Sequence, residues 1–261
     1  MKLKSEGVCF YCEKTVSKQG INRHVSTHFK TMAKELAKDN KDRGKYYHLS
    51  VTAAEMFLTL AVEETTLFEE LDDFLRAIWL ECCGHMSSFR ANSGVTIMDM
   101  TDDFGFGFER GTKPMTTKVS KVFKKDILLN YEYDFGSTTE LKIKVMDKYT
   151  LPLQEDTILL ISRNEPLPIL CTICNKEYAQ EICSIHIYED GFFCKKCTKK
   201  HAKECEDFED YAKMSIVNSP RMGVCAYEGG GMDLERDGVY IEPKQTKVTK
   251  EVKETKTKKA K

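Results

Sequence analysis

Apolar and polar positions along the chain separate into stretches of different period. Met56-Phe57-Leu58-Thr59-Leu60-Ala61-Val62 is a nearly continuous apolar run of strand length. After it, Leu67, Phe68, Leu71, Phe74, Leu75, Ile78 and Trp79 recur at helical spacing. Glu69, Glu70, Asp72 and Asp73 fall between them, on the expected solvent face and near the positive end of the helix. Thr65 or Thr66 is the expected N-cap and Gly84 the expected stop. Ser88 to Met98 reads as a strand or hairpin. Ile127 to Tyr133 and Thr139 to Val145 alternate around Asp134-Phe135-Gly136-Ser137, an antiparallel hairpin signal. Asp156 to Ser162 reads as a buried strand. These elements predict an α+β body, a central antiparallel sheet with a packed helix, over residues 51–165.

The flanks lack such a core. Residues 31–50 are polar and lysine-rich and read as a helix running into a linker. From Pro243 onward Lys alternates with Thr, Val and Glu without aromatics; residues 231–261 read as a disordered Lys-rich tail.

The 261 residues carry a net charge of -1, so the chain as a whole is no polyanion binder. With no apolar run of the roughly 20 residues a bilayer needs, and no signal-peptide core, the expected location is cytoplasmic. The 11 cysteines then call for a role other than disulfides.

Their spacing supplies one. Over residues 1–30, Cys9-x2-Cys12 followed by His24-x3-His28 has the ligand order of a C2H2-type ββα zinc finger. Two thiolates on a turn face two imidazoles one helical turn apart. Ile21, with Val16 as its partner, supplies the small apolar anchor. The positions that read bases in such fingers are Ser17, Gly20 and Arg23. Arg23, Lys14, Lys18 and Lys30 are the candidate nucleic-acid contacts, and their alternative is a solvated basic face.

Between residues 166 and 230 the ligands pair as Cys171-x2-Cys174, Cys183-x2-His186, Cys194-x2-Cys197 and His201-x3-Cys205. The first and third pairs make one four-cysteine set. Their spacing is that of a zinc ribbon or treble clef, and Ile187 to Phe193, turning at Asp190-Gly191, is the expected hairpin between them. The second and fourth pairs make a mixed set. The interleaving resembles the cross-brace of RING-like and MYND-like fingers, which implies a protein-docking module. All twelve ligands are closed structural sets, so three zinc ions are expected.

Tyr131-Glu132-Tyr133-Asp134-Phe135-Gly136 resembles the signature of the Ri-plasmid ORF-3-like family. The helix ending at Trp79, the run His85-Met86-Ser87-Ser88-Phe89 and the closing Ser219-Pro220-Arg221-Met222-Gly223-Val224-Cys225-Ala226-Tyr227 are similar to it in order. The resemblance implies a compact α+β domain and assigns no activity. Many members continue after the glycine with Asp, an aromatic residue and His; here Ser137-Thr138-Thr139 stands instead. Asp134 is therefore expected to close its turn through local backbone bonds.

Cys82-x2-His85 has ligand spacing, yet Cys82 follows Trp79 on the apolar face and reads first as a core thiol. Cys225 is left over. No phosphate-cradling loop or nucleophile elbow is present. The leading expectation is a non-enzymatic zinc-binding adaptor with a protein partner, no small-molecule substrate and no membrane. A zinc-dependent nucleic-acid-binding protein, linked to mobile DNA through the resemblance, is one alternative, and an enzyme of unknown class using a Cys82, His85 and Asp134 cleft another.

Overall fold

A computed structural model describes residues 3–38, 42–99, 111–189 and 191–242. The Lys-rich stretch from Pro243 and Asp190 of the expected turn lie outside them. Two short strands, β1 (Glu6–Val8) and β2 (Thr15–Ser17), lead into a helix, α1 (Lys18–Leu36). An eight-stranded sheet follows, built from β3 (Arg43–Ala53), β4 (Met56–Glu63), β5 (Ser87–Ala91), β6 (Thr96–Met98), β7 (Thr112–Lys113), β8 (Leu128–Tyr133), β9 (Thr139–Pro152) and β10 (Ile158–Arg163). Its order is β10-β4-β3-β9-β8-β5-β6-β7. Every pairing is antiparallel except β6 with β7, so the sheet is mixed rather than purely antiparallel.

Alternation along β3 and β4 sends side chains to both faces of the sheet. Tyr47, Leu49 and Val51, with Leu58, Leu60 and Val62, join the larger core. That core packs under α2 (Phe68–Leu75) and the π-helical turn Arg76–Leu80 that continues it. Phe68, Leu71, Leu75, Ile78 and Trp79 of the expected stripe are fully buried.

The opposite face carries Tyr46, Phe57, Ala61, Leu151 and Ile161, and α1 covers it with Ile21, Val25 and Phe29. Polar pairs thread this second contact. Asn22 donates to Ser50 Oγ at 2.8 Å, and Ser26 Oγ lies 3.3 Å from His48 Nδ1. Burial is near-complete on both faces of β4, which is why its sequence is an unbroken apolar run.

Several expectations change here. The span 31–50 is no linker: α1 ends at Leu36, and the lysine-flanked Arg43–Ala53 is a central strand between β4 and β9. Neither Thr65 nor Thr66 caps α2. Its first N–H groups donate to the carbonyls of Thr117 and Met115, and Glu70 Oε2 accepts from the Leu67 N–H at 2.6 Å. Asp72 is not on the solvent face. It is buried, and its carboxylate accepts from Arg76 Nε at 2.6 Å, Ser87 Oγ at 2.6 Å and Tyr131 OH at 2.7 Å. The helix stops at Leu80, ahead of Gly84. β10 is the sheet's outer strand, half-buried at Ile158, Leu159 and Leu160.

The C-terminal part forms a three-stranded sheet in the order β12-β11-β13, from β11 (Glu181–Cys183), β12 (Phe192–Phe193) and β13 (Lys213–Ser215). α3 (Lys195–His201) follows β12. The hairpin therefore joins β11 to β12, and Ile187–Glu189 between them is a 3-10 turn rather than strand.

Residues 216–242 return to the body, so order extends past position 231. Asn218 exchanges bonds with Asn164, and Ser219 Oγ donates to the Trp79 carbonyl at 2.5 Å. The π turn frees the Ala77 carbonyl, which accepts from the Gly231 N–H at 2.7 Å. A Cβ on Gly230 would meet the Ala77 and Ile78 carbonyl oxygens at 2.6 Å, so only glycine fits there. Among the described residues no helix is long and apolar enough to cross a membrane.

Candidate metal centres

In the first centre the chain turns sharply after β1. Cys9 O accepts from the Glu13 N–H at 2.8 Å, and Glu13 takes a left-handed φ of 56° to close the turn. This aims Cys9 and Cys12 at His24 and His28, one turn apart on α1. Cys12 Sγ and His28 Nε2 each lie 3.2 Å from His24 Nε2. Tetrahedral zinc bonds imply ligand separations of roughly 3.3 Å between nitrogens, about 3.5 Å between nitrogen and sulfur and about 3.8 Å between sulfurs. Burial, then the neighbouring His28, holds His24 below the ordinary histidine value, which favours the neutral ligand form.

The unit is not detached from the body. The Phe10 N–H donates to the Ile161 carbonyl at 2.9 Å, and Gly7 bridges Asn164. Of the four candidate nucleic-acid residues, Arg23, Lys14 and Lys30 are exposed on this unit. Lys18 is engaged instead with the Ala54 carbonyl and, at 3.7 Å, with Glu55.

The C-terminal ligands sort into Cys171, Cys174, Cys194 and Cys197, and into Cys183, His186, His201 and Cys205. These are the interleaved sets expected from spacing. Cys171 and Cys174 sit on a turn in which the Asn175 N–H donates to Cys171 O at 2.9 Å and Asn175 is left-handed. Cys194 stands at the N-cap of α3, and Cys197 lies in its first turn. The Cys174 and Cys194 sulfurs are 4.0 Å apart.

Backbone N–H groups of Glu177 and Lys176 pull the Cys174 thiol down to about 6. Burial, then the thiols of Cys194 and Cys171, pushes Cys197 up to about 12. The shifts are opposed because the backbone N–H groups favour the Cys174 thiolate, while burial and the neighbouring thiols disfavour charge on Cys197.

In the mixed set, Cys183 Sγ lies 3.2 Å from His186 Nδ1. The His201 ring stacks on Phe193 with centroids 4.2 Å apart, and its Nε2 is buried without a hydrogen-bond partner. A buried orphan ring nitrogen among two thiols and a second imidazole fits a metal ligand. The lysines of α3, Lys195, Lys196, Lys199 and Lys200, face solvent.

A fourth group joins Cys82, Cys83 and His85 to Cys225, with all ligand atoms within 4.8 Å of one another. Cys82 is thus no plain core thiol, and the leftover Cys225 has company. Spacing gave half the signal in Cys82-x2-His85; the fourth member comes from 140 residues away, which periodicity cannot reach.

Arg221, a residue to which sequence reasoning assigned no role, organises the surroundings. It is fully buried, donates to Asp134 Oδ2 at 2.6 Å and to Ser137 O at 2.7 Å, and reaches Cys82 Sγ at 3.5 Å. Asp134 does close its turn as expected, accepting from the Gly136 and Ser137 N–H groups. The Arg221 guanidinium holds its carboxyl down at about 2. His85 Nε2 lies 3.7 Å from the same carboxylate.

No family model matches the chain, and no curated protein matches it. Among solved structures it is similar to a protein of unknown function from Methanosarcina mazei Go1. The two share 19% identity over 64% of this chain and 86% of that one, with a TM-score of 0.38. A likeness that faint carries no argument about function.

Proposed function

We propose that this chain is a zinc-binding interaction protein, an adaptor that presents docking surfaces rather than performing chemistry. The observation that carries the reading is the pair of interleaved Cys/His sets at the C-terminal unit, together with the Cys9/Cys12/His24/His28 set. Each is a closed four-ligand group, the form structural zinc takes, whereas catalytic zinc keeps a position for water. Zinc suits mixed thiolate and imidazole donors. Free thiols at this density belong in a reducing, cytoplasmic compartment.

The N-terminal ββα unit is fused to the sheet through α1, so it is a rigid platform rather than a swinging module. Phe10 is 73% exposed on its turn, an aromatic of the kind protein interfaces use. The resemblance to the Ri-plasmid ORF-3-like family agrees with a compact α+β body and adds no reaction.

Metal analysis of the full chain, purified without added metal, tests the assignment. Cys12→Ser, Cys174→Ser and Cys183→Ser should each remove one zinc equivalent. Retention of the full complement by all three would sink it. The partner class is tested on a chain ending at Glu242, which lacks the Lys-rich stretch. It should bind DNA or RNA no more tightly than about micromolar at physiological salt, the non-specific range. Sequence-selective nanomolar binding lost on Arg23→Ala would overturn the adaptor reading in favour of a nucleic-acid reader.

A further inference from the structure

The group at Cys82, Cys83, His85 and Cys225 differs from the other three in where its members come from. Three lie in the loop that follows the π turn, and the fourth lies in the segment that returns to the body after the C-terminal unit. The Cys83 and Cys225 sulfurs are 3.6 Å apart, and His85 Nε2 is 3.5 Å from Cys225 Sγ. Tetrahedral zinc asks for about 3.8 Å and about 3.5 Å between such donors. A disulfide needs roughly 2.05 Å, so the two sulfurs stand at the separation of co-ligands, not of a bonded pair.

A nucleophile–base pair would need one thiol and one imidazole. Here three thiols and an imidazole converge on one point. We propose that these four side chains form a fourth metal centre, which takes a borderline-soft divalent ion, zinc, and clamps the Cys225 segment to the body.

The surroundings suit an ion rather than a bare thiol cluster. Arg221 Nη2 lies 3.5 Å from Cys82 Sγ, a donor able to spread the charge of a metal-bound thiolate, and the Tyr133 hydroxyl, which donates to Glu81 Oε1 at 3.2 Å, lies 3.8 Å from the same sulfur. The Tyr133 hydroxyl also accepts from the backbone N–H of Cys82 and of His85, at 3.4 Å each, which fixes the loop that carries three of the ligands. Asp134, locked to Arg221, lies 3.7 Å from His85 Nε2 and adds negative charge beside the group. Cys83 and Cys225 are exposed, unlike the ligands of the C-terminal sets, which are buried or half-buried. The ion in this centre is therefore reachable from solvent, and it is the first of the four to pass to a competing chelator.

The test uses the full chain purified under reducing conditions. A Cys83→Ser/Cys225→Ser double variant should carry one zinc equivalent fewer than the parent. After cobalt exchange it should lack the corresponding share of thiolate-to-cobalt absorbance. In the parent itself, alkylation mapped by mass spectrometry should modify Cys83 and Cys225 at least about tenfold more slowly before chelator than after it, because a metal-bound thiolate is a protected nucleophile. Equal metal content in parent and double variant would overturn the proposal. So would alkylation of Cys83 and Cys225 at the rate of free exposed thiols, or a Cys83–Cys225 disulfide in the reduced preparation. The three-zinc reading is read out separately, by Cys12→Ser, Cys174→Ser and Cys183→Ser, so either assignment can fail without the other.

Discussion

The sheet body and the C-terminal Cys/His unit solve the same problem with different means. Under α2 the body buries Trp79, Phe68, Phe89, Tyr131 and a score of aliphatic side chains in one continuous core. The C-terminal unit has two small clusters. One consists of Cys183, Phe193, Cys205, Phe208 and Ala212, so two of its five buried members are candidate metal ligands. The other centres on Ala179, Ile182 and Ile216. Even a domain with a large core is net stable by only about 5–15 kcal/mol, the small remainder of burial against chain entropy. Under the proposed zinc reading, ions worth roughly 10–16 kcal/mol per structural site would supply the stability that so small a core does not. The N-terminal ββα unit stands between these extremes: it has a metal set and also an apolar footing on the sheet.

The largest expected effect separates the two regions directly. Chelation should abolish slow amide exchange across residues 171–215 while β3, β4, β8 and β9 stay protected. Simultaneous loss of protection in the sheet would show that the body depends on metal too.

Next comes the intermediate unit. Phe29 is fully buried between α1 and the sheet. Phe29→Ala should cost about 3–5 kcal/mol in urea unfolding of the metal-loaded chain. A cost below about 1 kcal/mol would mean that the ion, and not the sheet, anchors α1.

A smaller effect depends on pH. His48 is buried beneath α1, with Phe29 edge-on at 5.3 Å, and desolvation lowers its pKa from 6.5 to about 4 despite the opposing pull of Asp147. As pH falls below 6.5 the unfolded chain takes up this proton before the folded one does. The contribution is thus complete above about pH 6.5, declines through the interval down to about 4 and is flat below. Its full span is about 3 kcal/mol. His48→Gln should flatten that part of the stability profile; an unchanged slope would remove His48 as its source.

The smallest expected change is at Lys18, whose ion pair with Glu55 lies near the surface. Lys18→Ala should shift stability by less than about 1 kcal/mol, and a larger shift would mean that its bond to the Ala54 carbonyl helps to seat α1.

What the sequence disclosed follows the same division. The α2 stripe, the β8–β9 hairpin and the interleaved ligand pairs could be read because each signal is local or has a fixed spacing. Tyr46-Tyr47-His48-Leu49-Ser50-Val51 could not. In β3 it serves two faces at once, one apolar and one laced to Asn22 and Ser26, and so shows neither a clean alternation nor an apolar run. Flanking lysines then made it look like linker. Asp72 was misplaced for a related reason: helical spacing says which face a carboxylate takes, but not that Arg76, Ser87 and Tyr131 wait there to receive it. Arg221 and Cys225 became legible only once the chain had returned to the body.

Arg163 is where that return is fastened. Its guanidinium is fully buried at the end of β10, where it donates to Asn218 O at 2.7 Å and pairs with Asp233 and Asp237. On the other side of the same strand end, the Glu165 N–H donates to Glu6 O, and a Cβ on Gly7 would collide with the Arg163 carbonyl. The two carboxylates that pair with Arg163 thus lie about 70 residues downstream of it, on the segment that returns to the body. Removing either carboxylate while the guanidinium stays buried would leave a charge short of its partner, a cost of several kcal/mol. One strand end thus fastens both termini of the described chain to the sheet, the N-terminal hairpin through backbone and the C-terminal segment through charge.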